Sequence, residues 1–259
     1  MDLSSETIDA TARLLTDARR AGTMIHSLGN GTPTSNDEAD AIADAHASQL
    51  GWNVVGWKIG CTSELAMEIL NSPGPFAGRI FEGNVHPSGD VVHRPRPLMV
   101  ESEFAFTIGE TIEPRDGEWE VDEIKAHTAS VAPALEVLSP RIEGFGKSGY
   151  LDVLADSGGN EGVVLGTPAA VSDALDLASI PVRCEVDGET TGEGTGADVL
   201  GDPWNALVWL ANHLGGRGIT LDAGQIVLSG TCTGVASVPV GSTVVVDYGP
   251  MGTVTATSG

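Results

Sequence analysis

The strongest constraint on the fold is a pair of glutamates inside an otherwise apolar segment, residues 98–108. Hydrophobic side chains recur at every second position around the pair, which predicts a β-strand. Because side chains alternate between the two faces of a strand, Glu101 and Glu103 lie on the same face. Three large apolar side chains lie on the other face: Val100, Phe104 and Phe106. Two neighbouring carboxylates in a half-buried strand repel each other and lose hydration, so their charge requires compensation.

A third glutamate indicates what compensates the pair. Glu136 is the only charged residue in the apolar stretch 130–138, and an ionised carboxylate in such a strand requires a partner. Three converging carboxylates form a site for a hard divalent cation, Mg²⁺ or Mn²⁺, with coordination positions left for water or substrate. The alternative is a solvated sheet face for Glu101 and Glu103 and an arginine partner for Glu136. Sequence spacing leaves both interpretations open.

A lysine interrupts a second apolar strand, residues 53–59. On that strand Lys58 shares a face with Gly56 and Gly60, whose missing side chains predict space for a ligand. An apolar setting lowers the pKa of a lysine, and a lysine ammonium can also polarise a bound carbonyl. The alternative is a lysine that is paired with a carboxylate or whose charged end reaches solvent. We favour the functional interpretation, with Lys58 as a catalytic residue and Gly60 beside the substrate.

The periodic segments predict an α+β fold in one domain, residues 1–259. Helices are expected at residues 7–21, 35–50, 63–70, 122–129 and 203–214. Strands are expected at residues 53–59, 98–108, 130–138, 163–165, 182–186, 226–229 and 243–247. The dipeptide Asp187-Gly188 predicts a β-hairpin. We therefore expect a helical N-terminal part, residues 1–75, and a mostly antiparallel β part, residues 76–259, that carries the catalytic groups.

The composition excludes several classes of partner. Thirteen Lys and Arg are set against 36 Asp and Glu, for a net charge of −23, so we expect neither nucleic acid nor a membrane as a partner. No apolar run is long enough to span a bilayer, and the first residues lack the basic and apolar regions of a secretory signal. Three scattered cysteines without zinc-ligand spacing fit buried thiols in a reducing cytoplasm. The acidity fits either adaptation to high salt or an ordinary acidic cytoplasmic protein.

Eight short segments, spread over most of the chain, carry a family resemblance. They are Gly-Trp-Lys-Ile-Gly-Cys-Thr at 56–62, Glu-Ser-Glu at 101–103, Pro-Ala-Leu-Glu at 133–136, Ser-Pro-Arg at 139–141, Ala-Asp at 155–156, Leu-Gly-Asp-Pro at 200–203, Trp-Leu-Ala at 209–211 and Ile-Val-Leu-Ser-Gly at 226–230. In this order and spacing they resemble the 2-keto-4-pentenoate hydratase / 4-oxalocrotonate decarboxylase family of the fumarylacetoacetate hydrolase superfamily. Each segment is unspecific alone, whereas the combination is distinctive.

The resemblance implies a mixed β-roll with the N-terminal helices packed on it. It also implies a divalent ion, Mg²⁺ or Mn²⁺, held by Glu101, Glu103 and Glu136, and a small 2-oxo acid substrate whose enolate the ion stabilises. Lys58 matches a family lysine that moves protons. Three further positions match the family, with Asp156 as a catalytic residue and Thr233 and Arg141 as contacts to substrate.

The implied reaction is addition of water to a small 2-hydroxy-2,4-dienoate or 2-oxo-alkenoate, as in the catabolism of aromatic compounds. No histidine lies between Gly60 and Phe81, which favours this branch over the hydrolases that cleave carbon–carbon bonds. Decarboxylation of a 2-oxo-enedioate is the alternative. A catalytically silent partner of an active enzyme is a third interpretation. The family also implies a homo-oligomer and association with a sister hydratase or decarboxylase.

One position departs from the family pattern. Many of the hydratases carry an aspartate before an aromatic residue, where it assists proton transfer, whereas this chain has Pro75 before Phe76. Proline cannot ionise. Either another group such as Asp156 takes over the transfer of protons, or the protein does not hydrate the standard dienoate.

Overall fold

Two β-sheets and two groups of helices make up the protein, a computed structural model of which describes residues 2–94, 96–144, 146–147, 149–172 and 175–259. The helices of the described residues are α1 (Ser5–Ala21), α2 (Asn36–Leu50), α3 (Glu64–Leu70), α4 (Val121–His127), α5 (Tyr150–Ala155) and α6 (Pro203–Gly216). The strands are β1 (Val54–Gly60), β2 (Phe76–Phe81), β3 (Val85–Pro87), β4 (Val91–Val92), β5 (Leu98–Ile108), β6 (Thr128–Leu138), β7 (Asn160–Leu165), β8 (Ala169–Ala170), β9 (Pro181–Val186), β10 (Glu189–Thr195), β11 (Ile226–Leu228), β12 (Val235–Val238), β13 (Thr243–Asp247) and β14 (Thr253–Ser258).

Helices α1 and α2 pack against each other at the N-terminus, and side-chain caps fix where they begin. Ser4 and Ser35 accept hydrogen bonds from backbone N–H groups of the first turn, which satisfies donors that have no partner inside a helix. Both helices end at a glycine with φ of 64°, a conformation that disfavours other residues. Their apolar stripes bury Leu15 and Ile42 in a small core of their own, as the periodicity predicts.

The larger sheet has nine strands among the described residues, in the order β2-β1-β11-β5-β6-β7-β3, with β12 paired to β5 and β8 to β6. The smaller sheet has the order β10-β9-β13-β14-β4. Three pairs of strands are parallel, β1 with β11, β3 with β7 and β4 with β14, and the other described pairs are antiparallel. The predicted α+β fold with mostly antiparallel strands is therefore confirmed. Strand β1 ties the N-terminal helices to the larger sheet.

Alternation along β5 separates the main core from a polar face. Val100, Phe104 and Phe106 lie in the largest cluster of buried apolar side chains, as predicted. Helix α6 covers this face, and the ring centroids of Phe106 and Trp204 are 4.6 Å apart. Asp202 caps α6 by accepting a hydrogen bond from the Trp204 N–H, which confirms the predicted start of the helix. The opposite face of β5 carries the two glutamates.

Some local predictions hold and others fail for identifiable reasons. Strands β9 and β10 form the hairpin expected from Asp187-Gly188, whose φ angles of 50° and 84° suit a tight two-residue turn. Helix α5 lies in a segment for which no helix was predicted, because Gly149 at its start carries no side chain that could cap it. Its buried side chains Val153 and Leu154 pack in the small N-terminal core, so tertiary contacts stabilise a helix too short to form alone. None of the described helices has the length and apolar character needed to cross a lipid bilayer.

Candidate metal centre

The register of β5 and β6 brings two of the three predicted ligands together. In this antiparallel pair Glu101 lies directly opposite Glu136, and Glu103 lies opposite Ala134. Side chains directly opposite each other share a face and come close enough to interact. Two glutamates at such positions repel each other, so the register is costly unless a positive charge lies between them.

All three glutamates converge on one point. Glu101, Glu103 and Glu136 each offer a carboxylate oxygen, and these atoms lie within 4.8 Å of one another. Glu103 and Glu136 are completely buried, whereas Glu101 is partly exposed. The predicted convergence is thus present, and the solvated sheet face considered as its alternative is not what the structure shows.

Each of the two buried glutamates leaves one carboxylate oxygen free. Glu136 accepts hydrogen bonds at Oε1 from Asn160 Nδ2 (2.9 Å) and lies within 3.2 Å of Lys58 Nζ at the same atom. Glu103 accepts at Oε2 from the Gly230 N–H (2.6 Å). The second oxygens, Glu136 Oε2 and Glu103 Oε1, have no hydrogen-bond partner within the part of the chain that the structure describes. Buried oxygens left in this way are the ligands that a hard cation prefers.

Ionisation of the cluster is unfavourable without such a cation. Burial, reinforced by the charge of Glu136, raises the pKa of Glu101 to about 7. Burial and the charges of Glu136 and Glu101 hold the pKa of Glu103 well above its usual range. Lys58 opposes both shifts without cancelling them. The arrangement therefore favours uptake of protons or of a cation.

Lys58 lies on the same face of the larger sheet and points at the carboxylates. Burial by itself lowers the pKa of Lys58, but the charges of Glu136, Glu101 and Glu103 outweigh burial, so the pKa is raised. The expectation of a lowered lysine pKa is therefore wrong for this arrangement, because it left out the carboxylates that face the ammonium. The partner considered for Glu136 was an arginine, and the structure places Lys58 there instead.

Glycines surround Lys58 for a different reason than the sequence suggested. A Cβ on Gly56 would collide with the backbone of β11, and a Cβ on Gly60 would collide with the ring of Phe76. Their missing side chains therefore make room for a strand and an aromatic ring, and the expected ligand space beside them is taken. Space for the Lys58 side chain is provided by a different glycine, Gly158, because a Cβ at that position would collide with Lys58 Cε.

Arg141 and Asp156, predicted to contact substrate and to move protons, bind each other instead. Asp156 accepts hydrogen bonds at Oδ1 from Arg141 Nε (2.6 Å) and at Oδ2 from the Arg141 N–H (2.8 Å). The remaining guanidinium donors go to main-chain oxygens of Ser139, Asn160 and Asp156 and to Glu161. Burial raises the pKa of Asp156 even though Arg141 opposes the shift. These contacts favour a structural pair that fixes the turn before β7 over the roles expected from sequence.

Thr233 also points away from the cluster. Its hydroxyl donates to Ser102 Oγ over 2.8 Å, and strand alternation places Ser102 on the opposite face of β5 from Glu101 and Glu103. The expected contact to a substrate carboxylate is therefore not supported by the position of this side chain. The loop that carries Thr233 still reaches the site, through the Gly230 N–H.

Three residues that position the site were not among the predicted site residues. Asn160 orients Glu136, the Gly230 N–H orients Glu103, and the buried hydroxyl of Tyr248 lies 2.9 Å from Glu103 O and 2.8 Å from Ala134 O. Asn160 follows the glycine-rich turn Ser157–Gly159. Gly230 comes shortly after β11 and donates through its main chain, which residue type does not reveal. Tyr248 is one of only two tyrosines in the chain. A buried tyrosine hydroxyl requires a hydrogen-bond partner, and this requirement was the only indication that Tyr248 binds main-chain oxygens.

Comparison with known proteins agrees with this geometry. Residues 71–257 match the family described as fumarylacetoacetate (FAA) hydrolase, C-terminal. A 2-keto-4-pentenoate hydratase of Paraburkholderia xenovorans (strain LB400) is 31% identical over 231 residues, which cover 86% of this chain and 84% of that protein. A 4-oxalocrotonate decarboxylase of Pseudomonas putida is 29% identical over 266 residues, 98% of this chain and 97% of the relative.

A solved structure extends the similarity over the whole chain. The 4-oxalocrotonate decarboxylase from Pseudomonas putida G7, complexed with magnesium and adipate, superposes with a TM-score of 0.90 and 26% sequence identity. The superposition covers 99% of this chain and 98% of that one, so the expected mixed β-roll with packed N-terminal helices is confirmed. The protein belongs to the fumarylacetoacetate hydrolase family, among relatives that are hydratases and decarboxylases.

Proposed function

We propose that this protein is a metal-dependent lyase that adds water to a small 2-hydroxy-2,4-dienoate or its 2-oxo-alkenoate tautomer. The observation that carries the proposal is the convergence of three carboxylates within 4.8 Å beside the buried ammonium of Lys58. Relatives named 2-keto-4-pentenoate hydratase support the choice of reaction.

The residues present suit a divalent ion. Glu103 and Glu136 each use one carboxylate oxygen in hydrogen bonds and leave the other without a partner among the described residues. With Glu101 they supply three anionic oxygen ligands, which suits Mg²⁺ or Mn²⁺ better than a metal that prefers nitrogen or sulfur. We propose Mg²⁺ or Mn²⁺ as the native ion, in keeping with the magnesium bound to the similar decarboxylase.

The residues around the proposed ion have different roles in the reaction. When bound, the ion supplies positive charge that stabilises the negative charge developing on the oxygen of a 2-oxo acid. Lys58 Nζ lies beside the ligand Glu136, 3.2 Å from its Oε1, and as an ammonium it can deliver a proton to a substrate carbon. Asn160 and Gly230 keep Glu136 and Glu103 in place. The ring of Phe76, with its centroid 5.6 Å from Lys58 Nζ, shields the ammonium from bulk water.

Decarboxylation of a 2-oxo-enedioate is the second candidate, and Pro75 favours it. This residue directly precedes Phe76, at the position where many of the resembled hydratases carry an acidic side chain, whereas proline offers no group that could activate water. Decarboxylation needs no activated water, since the carbon–carbon bond breaks, CO₂ leaves and its electron pair passes into the enolate. A proton from Lys58 Nζ would then complete the product.

A single assay separates the two reactions. Purified protein with Mg²⁺ or Mn²⁺ is given a 2-hydroxy-2,4-dienoate or a 2-oxo-enedioate, and loss of diene absorbance and release of CO₂ are followed together. Hydration predicts loss of absorbance without CO₂, and decarboxylation predicts stoichiometric CO₂. Glu136→Gln should abolish either activity, while Glu189→Gln, at an exposed position, should leave it unchanged. Absence of both activities in metal-loaded wild type would refute both proposals.

The same variants address a silent partner role. If this chain supplies the active site, replacing both Glu101 and Glu103 with Ala abolishes turnover even in a mixture with a sister hydratase or decarboxylase. Survival of full activity in that mixture would instead assign catalysis to the sister enzyme.

We also propose that the protein works in the cytoplasm as a homo-oligomer. The apolar side chains of Leu65 and Ile69, one turn apart on α3, are 66% and 68% exposed, which fits a surface covered by another subunit. Light scattering coupled to size-exclusion chromatography measures the subunit number directly. A monomeric mass at micromolar concentration would contradict the proposal.

A further inference from the structure

Half of the arginines of this acidic protein surround one cavity away from the three glutamates. The chain has thirteen Lys and Arg in total, of which three are lysines. The cavity has a volume of about 360 Å³ and lies between the end of α1, the segment before β5 and the turn after β6. Five arginines line it: Arg19, Arg20, Arg94, Arg96 and Arg141. Such a concentration of positive charge is unexpected in a chain with a net charge of −23.

Arg19 is the most unusual member of this group. Its side chain is fully buried, and its Nε, Nη1 and Nη2 atoms have no hydrogen-bond partner within the described part of the chain. A carboxylate oxygen of Glu161 lies 3.7 Å from Nη2, and the guanidinium lies over the rings of Phe81 and Trp52, 4.8 and 5.6 Å from their centroids. Burial and the charge of Arg141 lower the pKa of Arg19 to about 10. A buried charge with so little compensation projects a positive field into the cavity.

The charges around the cavity do not balance. Arg141 is saturated by Asp156 and Glu161, and Glu161 is also the acid nearest to Arg19. Arg94 donates to main-chain oxygens of His93 and Glu161. Arg96 donates to Ser139 Oγ and Pro140 O. Arg20 donates to main-chain oxygens of Gln49 and Leu50. The five arginines that line the cavity thus face two carboxylates, which leaves three positive charges without an acidic partner among the described residues around it.

Two of these arginines can touch a ligand directly. Arg94 and Arg96 are partly exposed, and their hydrogen bonds go to neutral oxygens, so guanidinium donors remain available at the cavity surface. The nitrogens of Arg19 lie below that surface and act through their charge. A guanidinium fork matches an oxyanion in shape as well as charge.

The cavity is distinct from the metal centre. Asn160 and Glu161 are consecutive residues of β7, and strand alternation directs them to opposite sides. Asn160 binds Glu136, whereas Glu161 lines the cavity. A ligand in the cavity is therefore separated from the three glutamates by the backbone of β7.

We propose that this cavity binds a small oxyanion carrying two negative charges, a phosphate or a dicarboxylate, at a site independent of the metal centre. Arg96 and Arg94 make the direct contacts, and Arg19 supplies the uncompensated charge beneath them. The two negative charges of the ligand offset most of the positive imbalance of the cavity, and its size is well within the available volume.

Calorimetric titration of inorganic phosphate and of succinate into the protein tests the proposal. Both are titrated above the second pKa of phosphate, at constant ionic strength, into metal-loaded protein and into protein kept metal-free with a chelator. The expected result is one saturable site per chain in both forms. Arg96→Met and Arg19→Met should each weaken binding by about tenfold or more, because the first removes a charge-assisted hydrogen bond to the anion and the second removes the positive charge beneath it. The exposed Arg183→Met, at the β9–β10 hairpin, should bind like wild type.

The two probes distinguish a phosphate ligand from a dicarboxylate ligand. Tighter binding of inorganic phosphate identifies the ligand as a phosphate, and tighter binding of succinate identifies it as a dicarboxylate. The thermal transition of Arg19→Met, set against that of wild type, shows whether this variant folds. Arg96→Met carries the test on its own because it removes a partly exposed side chain. Several results would overturn the proposal. The first is the absence of saturable anion binding to wild type. The second is equal affinity for the anion in all three arginine variants. The third is anion binding that requires the metal and disappears in Glu136→Gln. A change of subunit number in Arg96→Met with no anion bound by wild type would also overturn it, since a second copy of the chain would then fill the cavity.

Discussion

Lys58 and Glu136 form an ion pair in which neither charge reaches solvent, with 3.2 Å between Nζ and Oε1 and side-chain exposures of 3% and 0%. A buried pair of this kind is stabilising only while both partners are present, because removal of one leaves the other charge desolvated. Here the pair is also unequal, since one ammonium faces three carboxylates. The stability of the site and its affinity for a cation are consequently linked.

Replacing Lys58 with Met should destabilise the metal-free protein by ~3–5 kcal/mol, the range for breaking a buried ion pair. Saturating Mg²⁺ should recover much of the loss, because the ion takes over compensation of Glu136, while turnover remains abolished. Thermal melts with and without Mg²⁺ measure both effects. Lys147→Met, at an exposed position, is the matched control. Equal destabilisation with and without the ion would contradict the linkage.

Replacing Glu103 with Gln should have the opposite effect on the metal-free protein. The carboxylate of Glu103 is buried, its pKa is held well above the usual range by burial and by Glu136 and Glu101, and an amide removes the repulsion while still accepting from Gly230. We expect the metal-free melting temperature to rise by ~2–4 °C, corresponding to about 1 kcal/mol for a chain of this size. Binding of Mg²⁺, measured by calorimetry, should be lost. A lower metal-free melting temperature would show that the cluster is not strained.

Binding of the metal should release protons, with a definite dependence on pH. The pKa of Glu101 is raised to about 7 by burial and by Glu136, so the metal-free folded protein retains a proton there that the unfolded chain loses near pH 4.5. This group therefore costs stability as pH rises through that interval, and the cost is complete above about pH 7.

The ion must displace this proton as well as the one that Glu103 retains, because the pKa of Glu103 is also raised. Uptake of Mg²⁺ should therefore release more protons below the folded pKa of Glu101 than above it. Titrations in two buffers with different ionisation enthalpies give the number of protons directly. Release that does not change across neutral pH would mean that Glu101 is ionised in the metal-free protein.

A methyl group introduced at Gly158, next to Lys58, should lower kcat without weakening the binding of Mg²⁺. A Cβ at Gly158 would collide with Lys58 Cε, whereas Gly117 is open, and both glycines have left-handed φ, 66° and 85°. Gly158→Ala and Gly117→Ala therefore share the backbone strain of ~1 kcal/mol but differ in the collision. We expect kcat to fall at least tenfold only in Gly158→Ala, with unchanged affinity for Mg²⁺. Similar kcat values in the two variants would show that Lys58 tolerates displacement.

The contacts of Asp156 predict a structural role that a double variant can separate from catalysis. Asp156→Asn leaves Arg141 without its buried counter-charge and should cost ~3–5 kcal/mol in stability. Adding Arg141→Met to Asp156→Asn should recover part of that loss, and the pH profile of kcat in the folded protein should match wild type. A shifted or flattened pH profile would instead assign proton transfer to Asp156.

The sequence predicted the ligands better than their surroundings, and particular residues show why. Glu101 and Glu103 could be assigned to one face because alternation is a property of a single strand. The position of Glu136 opposite Glu101 depends on the register of β6, which residue types do not specify, so convergence remained one of two interpretations until the structure was known.

Arg141 and Asp156 illustrate the limit for residues known only by resemblance. Both side chains are charged and lie in a segment without clear periodicity, so either a role in chemistry or mutual pairing was consistent with the sequence. Their distance along the chain gave no indication that they meet. Helix α5 between them was missed for the same reason, because its stability comes from packing against α2 and not from its own caps.

The hydroxyl of Tyr248, shared between the main-chain oxygens of Glu103 and Ala134, has a consequence for ion selectivity. It clamps neighbouring points of β5 and β6 from the side of the smaller sheet, so the spacing of the glutamates is set partly by residues remote from them. A rigid spacing discriminates between cations by radius. Substitutions around Tyr248 should therefore change the preference for magnesium over calcium before they change which residues bind the ion.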